Sequence, residues 1–127
     1  GYGEPTERLD DLLTIARRIT SEVGARVRLD TNGLGSLING RDIVPDLAHV
    51  LDAVSVSLNA SSAEEYEELC RPAFGDRSYP AILQFIEEIS RCLDDVTVSV
   101  VGGTIPPESE ERCGEMARGW GVNFRVR

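Results

Sequence analysis

The fold is decided by residues 53–58, which read Ala-Val-Ser-Val-Ser-Leu. Apolar and serine residues alternate here, and this period of two predicts a β-strand with two different faces. The valines and the leucine would pack beneath helices, while the serines would look into a barrel or cleft. A solvent-facing antiparallel strand is the alternative, but the helical patterns on both sides of residues 53–58 argue against it.

Helical and strand patterns alternate along the rest of the chain. Strands are predicted at residues 26–30, 53–58, 96–101 and 122–126. Helices are predicted at residues 7–23, 42–50, 78–92 and 108–118, with another that follows Ser61-Ser62 and ends near Cys70; Thr6 and Ser78 are candidate N-caps, and residues 36–41 read as a loop. Alternation of this kind predicts parallel strands joined by right-handed crossovers, in a single domain over residues 1–127.

Length and charge exclude several classes of function. A chain of 127 residues is about one domain. The net charge is −9 and all 13 basic residues are arginine, so direct nucleic-acid binding and an anionic membrane surface are disfavoured. No apolar run approaches the roughly 20 residues that span a bilayer. No signal peptide is visible and the first residue is not Met, so we expect a chain that is processed or cut from something longer, and the cysteine usage described next favours a cytoplasmic location.

The spacing of the cysteines and the single histidine does not indicate a metal site. Cys70, Cys92 and Cys113 are about 20 residues apart, too widely spaced for a self-contained zinc or iron–sulfur site. We expect them to be buried small apolar residues in a reducing compartment. The single histidine, His49, is expected on a helix surface.

Three turns are predicted at the carboxyl ends of successive strands, where ligands bind in parallel α/β sheets. They comprise residues 1–6 (Gly-Tyr-Gly-Glu-Pro-Thr), after a strand that would lie upstream, residues 30–35 (Asp-Thr-Asn-Gly-Leu-Gly) and residues 55–60. Glycine lets bare backbone approach a small ligand, and Glu4 can face a ligand ammonium. A frayed terminus for the first turn and a plain loop with a left-handed glycine for the second are the alternatives.

This set of turns resembles the radical S-adenosylmethionine (SAM) superfamily. The first turn is similar to its Gly-Gly-Glu-Pro motif after strand two, and Thr-Asn-Gly at residues 31–33 is similar to the end of strand three. A closer likeness is to the TatD-associated radical SAM proteins. It is carried by residues 1–6 with Arg8-Leu9, residues 31–35 with 37–43, and Leu69-Cys70-Arg71-Pro72 with Phe74-Gly75.

The resemblance implies a partial (β/α)6 TIM-like barrel that here lacks its first strands. The complete barrel would hold a [4Fe–4S] cluster and SAM, and would generate a 5′-deoxyadenosyl radical that abstracts hydrogen from a substrate. The ammonium of SAM would meet Gly3, Glu4 and the backbone carbonyls of residues 1–3, and Ser57 and Asn59 would meet the ribose. The residues that the resemblance assigns to cofactor binding are Gly1, Tyr2, Gly3, Glu4, Asn32, Ser57 and Asn59.

The sequence departs from the superfamily in one respect. It has no Cys-x3-Cys-x2-Cys run, the motif whose three cysteines hold the cluster, so we expect this chain to ligate no cluster and to be inactive alone. Four strands without their first neighbours would leave an unpaired edge, which predicts self-association or a partner at that edge. The likeness suggests a functional link to a TatD-type metal-dependent hydrolase and identifies no substrate. A small α/β nucleotide-binding module and a protein-interaction domain are the alternative functions.

Overall fold

The structure, a computed structural model, describes residues 3–127 and has one four-stranded sheet at its centre. The strands are β1 (Arg28–Thr31), β2 (Ala53–Ser57), β3 (Asp95–Val100) and β4 (Asn123–Val126). They are all parallel and lie side by side in chain order. The predicted α/β class with a parallel sheet is confirmed.

Helices connect the strands. They are α1 (Leu9–Arg18), α2 (Gly35–Asn39), α3 (Val44–Val50), α4 (Ala63–Cys70), α5 (Ser78–Cys92) and α6 (Pro107–Trp120). Short 3-10 segments at Pro5–Arg8 and Gly75–Arg77 precede α1 and α5, and a π-helical turn at Ile19–Val23 follows α1. In the described part of the chain, no helix is long and apolar enough to cross a membrane.

The two faces of the sheet differ as the alternation at residues 53–58 predicts. Val54 and Val56 are at most 1% exposed and belong to the core beneath the helices. Right-handed crossovers between strands in chain order bring the helices to one face of the sheet. The register places Ser57 beside Ser99 and Ser55 beside Thr97 on the opposite, polar face, away from the apolar core.

Several predicted boundaries are wrong at the start of the chain. The helix predicted for residues 7–23 consists of three segments, and Val23 at its end is 73% exposed because the helix changes to π geometry at Ile19. Glu4, and not Thr6, is the N-cap of the first segment. The first strand begins at Arg28, two residues later than predicted, and the Val27 amide donates to the Asp52 carboxylate (2.7 Å).

Two predictions for the middle of the chain are also wrong, and both have local causes. The loop predicted for residues 36–41 contains α2, which the Asn39 side chain braces by donating to the Gly35 carbonyl (2.7 Å). Ser78 does not cap α5, because the preceding Arg77 is already in helical geometry and no extended residue is left for a cap. Among the described side chains, the buried Ser78 hydroxyl has no hydrogen-bond partner.

The cysteines differ in burial, although we predicted that all three are buried. Cys113 is fully buried, Cys70 is half-buried and Cys92 is exposed. Cys92 is the last residue of α5, where the helix surface turns to solvent. His49 is exposed on α3, as predicted.

Candidate functional site

The carboxylate of Glu4 fastens the opening turn of the chain to the carboxyl end of β1. Its Oε1 accepts a hydrogen bond from the Asn32 amide (2.7 Å), and its Oε2 accepts one from the Thr31 hydroxyl (2.7 Å). Thr31 is the last residue of β1 and is only 4% exposed. A single side chain therefore joins two turns that are almost 30 residues apart in sequence.

The same carboxylate also organises its own turn. Glu4 Oε2 accepts from the Thr6 amide (3.1 Å) and from the Thr6 hydroxyl (2.5 Å), which caps the 3-10 segment at Pro5–Arg8. Thr6 is fully buried, and its carbonyl accepts from the Asn39 side-chain amide (2.9 Å) on α2. Residues 4–6 are thus held by hydrogen bonds within the turn, to the end of β1 and to Asn39 on α2.

The turn after β1 folds through its own short polar side chains. The Thr31 hydroxyl accepts from the Gly33 amide (3.1 Å), and Asn32 Oδ1 accepts from the Leu34 amide (2.9 Å). Gly33 has φ +78°, and a Cβ placed on it would lie 3.1 Å from the Val56 side chain. Left-handed geometry and close packing together favour glycine here. Because the side-chain oxygen of Asn32 accepts a hydrogen bond within the turn, the group that this side chain has left to offer is its NH2 donor.

Within residues 3–127, one long side of β1 pairs with no other strand, and an open cavity of about 910 Å³ lies along that side and reaches the end of β2. Gly3, Glu4, Asn32 and Ser57, all predicted from the sequence as ligand contacts, line this cavity together with Arg127. Ser57 is half-buried at the last position of β2. Four predicted site residues therefore share one cavity at the carboxyl edge of the sheet.

Of the other predicted contacts, the structure describes Asn59 alone, and it lies elsewhere. Asn59 does not line this cavity: its side-chain nitrogen contacts the sulfur of Cys70 (3.9 Å), and its backbone is left-handed with φ +65°. Burial raises the pKa of the Cys70 thiol, although this contact with Asn59 opposes the rise. Gly1 and Tyr2 lie outside the described residues, so their predicted roles stay predictions.

A second polar cluster connects the helices that follow β2 and β3. Glu65 Oε2 accepts from the Ser109 hydroxyl (2.7 Å), and Glu65 Oε1 accepts from the Ser61 amide (2.8 Å). Arg112 donates to the Ser109 hydroxyl (3.0 Å). Burial opposes ionisation of Glu65, but these hydrogen bonds and the Arg112 charge outweigh it and lower the pKa of the carboxyl. This cluster joins the starts of α4 and α6 to each other.

Two residues of the site were missed in the sequence. From the sequence, Thr31 is predicted only as part of a turn, although the hydroxyl of a threonine that ends a strand before Asn-Gly can both donate and accept a hydrogen bond. Arg127 follows the alternation of residues 122–126, which places Asn123, Arg125 and Arg127 on one face of the last strand. That alternation was a usable signal for an arginine on the polar face.

The described residues do not fit an iron–sulfur cluster. Cys113 is fully buried in α6, and burial raises the pKa of its thiol to about 11. Cys92 is exposed at the end of α5, whereas Cys70 contacts Asn59. Within residues 3–127, no group of three or more histidine, cysteine or acidic side chains is placed to hold a metal ion.

Comparison with known proteins shows the fold. No protein-family model matches the chain, and no curated protein sequence matches it. Among solved structures, the chain is similar to a domain of pyruvate-formate lyase-activating enzyme from Bacteroides vulgatus ATCC 8482, with a TM-score of 0.64 at 13% identity. The likeness covers 100% of this chain and 96% of that one. It confirms the predicted partial-barrel fold.

Proposed function

We propose that this chain is the C-terminal portion of a radical SAM domain and that its carboxyl edge forms part of a SAM-binding site. Pyruvate-formate lyase-activating enzymes are a radical SAM family, so the shared fold supports the motif resemblance. The observation that carries the proposal is the Glu4 clamp. These hydrogen bonds of the Glu4 carboxylate to Thr31 and Asn32 hold the turns that contain Gly3 and Asn32 together at one cavity, which Ser57 also lines.

The chemistry of these groups suits SAM. Its ammonium and sulfonium are cationic and favour carboxylate and carbonyl oxygens, whereas its ribose favours short neutral hydrogen-bonding groups. Gly3 has φ +86° and open space where a Cβ would stand, so a ligand can approach its backbone closely. Within residues 3–127, Glu4 Oε1 accepts one hydrogen bond, from the backbone amide of Asn32, and a further acceptor position on that oxygen can face a ligand. The Ser57 hydroxyl and the side-chain NH2 of Asn32 are the short neutral groups available to the ribose.

This chain's own part in the reaction would be to bind and orient SAM. In the superfamily that the motifs resemble, bound SAM supplies a radical that abstracts hydrogen from a substrate. Because the described residues do not fit the cluster, the cysteines that hold it would come from residues outside this chain. The same proposal includes membership of the TatD-associated branch and a functional link to a TatD-type hydrolase. It also includes a cytoplasmic location, with which three free cysteines are consistent.

Calorimetric titration with SAM, S-adenosylhomocysteine and ATP tests the proposal. We expect the two adenosyl amino acids to bind and ATP to bind much more weakly, because the sequence contains neither a GxGxxG nor a Walker phosphate-binding motif. Ser57→Ala should weaken SAM binding about 2- to 10-fold through the loss of one hydrogen bond. Ser21→Ala, at an exposed position remote from the cavity, is the matched control. Equal binding of ATP, or no binding of either adenosyl ligand, would contradict the proposal.

A further inference from the structure

Three arginines line the cavity, and they differ in their partners. Arg8 forms an ion pair with Asp11 (2.7 Å), and Arg28 forms one with Asp30 (3.5 Å). Within residues 3–127, the Arg127 guanidinium has no carboxylate at ion-pair distance. On a chain of net charge −9, Arg127 is thus a cationic group at the cavity that no described acid neutralises.

The position of Arg127 is fixed by its backbone and its side chain. Its amide donates to the Val100 carbonyl (2.9 Å), and its carbonyl accepts from the Gly102 amide (2.9 Å). Its Nη2 donates to the Ser55 hydroxyl (3.4 Å) two strands away, on the polar face of the sheet. Ser55 is only 1% exposed, so it provides a fixed acceptor that holds the guanidinium across the sheet.

We infer that Arg127 binds the carboxylate of the ligand in this cavity. The inference rests on the proposed function, and it identifies the ligand class as an adenosyl amino acid whose carboxylate and ammonium are both recognised. A planar guanidinium matches a carboxylate in a two-bond fork, and the bond to Ser55 occupies only one of its five N–H donors. The ammonium would meet the Gly3–Glu4 side of the same cavity, which is the acidic side.

SAM and decarboxylated SAM are the matched pair of ligands for the test. They share the adenosine, the sulfonium and the amine and differ only in the carboxylate. The unaltered chain should bind SAM more tightly than its decarboxylated analogue. Arg127→Gln should weaken SAM binding by about 10- to 100-fold and leave the decarboxylated analogue within about twofold. Arg127→Lys should have an affinity for SAM between those of the unaltered chain and Arg127→Gln, because lysine keeps the positive charge but cannot form two parallel hydrogen bonds to a carboxylate.

Arg125→Gln is the matched control, because Arg125 lies on the same strand and face and does not line the cavity. It makes the same change in net charge and should leave both affinities unchanged. The Nε–H resonance of Arg127 in a ¹H–¹⁵N spectrum should also move on titration with SAM and stay in place with the decarboxylated analogue. Circular dichroism of each variant confirms that it folds.

The outcomes separate the inference from the proposed function. If the unaltered chain binds neither ligand, the proposed SAM site itself fails. If it binds both ligands equally, or if Arg127→Gln changes both affinities alike, the carboxylate role is overturned while the SAM site stands. An unmoved Arg127 resonance under saturating SAM would overturn the inference without any variant.

Discussion

Glu4 shows how one side chain can decide the geometry of a whole site. The sequence predicts it as an acid that faces a ligand ammonium, and the structure shows its carboxylate accepting four hydrogen bonds from Thr6, Thr31 and Asn32. Hydrogen bonds to a charged group contribute about 1.5–3 kcal/mol each in favourable cases. The role as a ligand contact stays a prediction, whereas the role as a clamp follows from the contacts.

Thr31→Val tests the hydrogen bond that the Thr31 hydroxyl donates to the Glu4 carboxylate. Valine has nearly the shape of threonine but can neither donate to Glu4 nor accept from the Gly33 amide. Because Thr31 is buried, we expect the free energy of unfolding, measured by urea denaturation, to fall by about 1–3 kcal/mol. Thr31→Ser keeps the hydroxyl and should lose less. A valine variant as stable as the parent would show that the clamp adds nothing.

At the scale of elements, two contacts hold helices near the carboxyl ends of the strands: one is a close-packed glycine and the other is a polar cluster. Gly35 begins α2 directly beneath the opening turn, and the Glu65 cluster joins α4 to α6. Both contacts lie where chain segments leave the sheet, and the Gly35 contact reaches Thr6 in the turn that borders the cavity. Each one can be tested by a small change with a matched control.

Gly35→Ala should disturb the opening turn. An added Cβ would clash with the Ile43 side chain and lie 2.9 Å from the Thr6 side chain, and both neighbours are fully buried. Overpacking of this kind costs about 1–3 kcal/mol, which thermal or urea unfolding would register. Gly119→Ala, also helical but in open space on α6, should be neutral or stabilising by up to about 1 kcal/mol. Equal effects of the two substitutions would contradict the close approach.

The Glu65 cluster predicts a pH dependence. The pKa of Glu65 is lower in the folded chain than its ordinary value, because hydrogen bonds and Arg112 outweigh burial. Its stabilisation is therefore complete above the ordinary value of 4.5 and is lost as the pH falls through the folded pKa. Ser109→Ala, which removes one of these bonds, should reduce the difference in unfolding free energy between pH 6 and strongly acidic pH. An unchanged acid profile in that variant would show that Ser109 does not hold the carboxylate.

The sequence predicts local patterns well and contacts between distant segments poorly. Alternation at residues 53–58 is sufficient for β2, since a period of two depends only on neighbours in sequence. Helix α2 was missed because part of its support comes from Asn39 donating to Thr6, a partner 33 residues away. Asn32 and Ser57 could be placed at one edge because parallel strands share their carboxyl ends. The Glu4 clamp could not, because it depends on how two turns far apart in sequence meet, and for Arg127 the alternation indicates the face of the sheet but not the contact with Ser55 or the place at the cavity.

At the scale of the whole molecule, the sheet has two outer strands, and each leaves one backbone edge unpaired within the described chain. The edge of β1 borders the cavity, and Val126 on β4 is 46% exposed. Unpaired edges of parallel strands are ready templates for pairing with another chain. We therefore propose that a second copy or a partner covers the β1 edge.

Sedimentation at increasing concentration tests this proposal. We expect species heavier than the 13.9 kDa monomer. Asp30→Lys, which adds positive charge beside Arg28 at the β1 edge, should weaken self-association by mutual repulsion. Asp94→Lys makes the same charge change at an exposed position outside the β1 edge and should not. A single 13.9 kDa species at every concentration would rule out self-association at this edge.

The central claim is that the carboxyl edge of this sheet binds SAM. Mapping of ¹H–¹⁵N chemical-shift changes during titration with SAM tests it most directly, because the method detects weak binding and reports where it occurs. The account predicts that the largest changes fall on Gly3, Glu4, Asn32, Ser57 and Arg127, around the cavity. Changes confined to the opposite, amino edge of the sheet, near Asp52 and Asn123, or no changes at all, would contradict it.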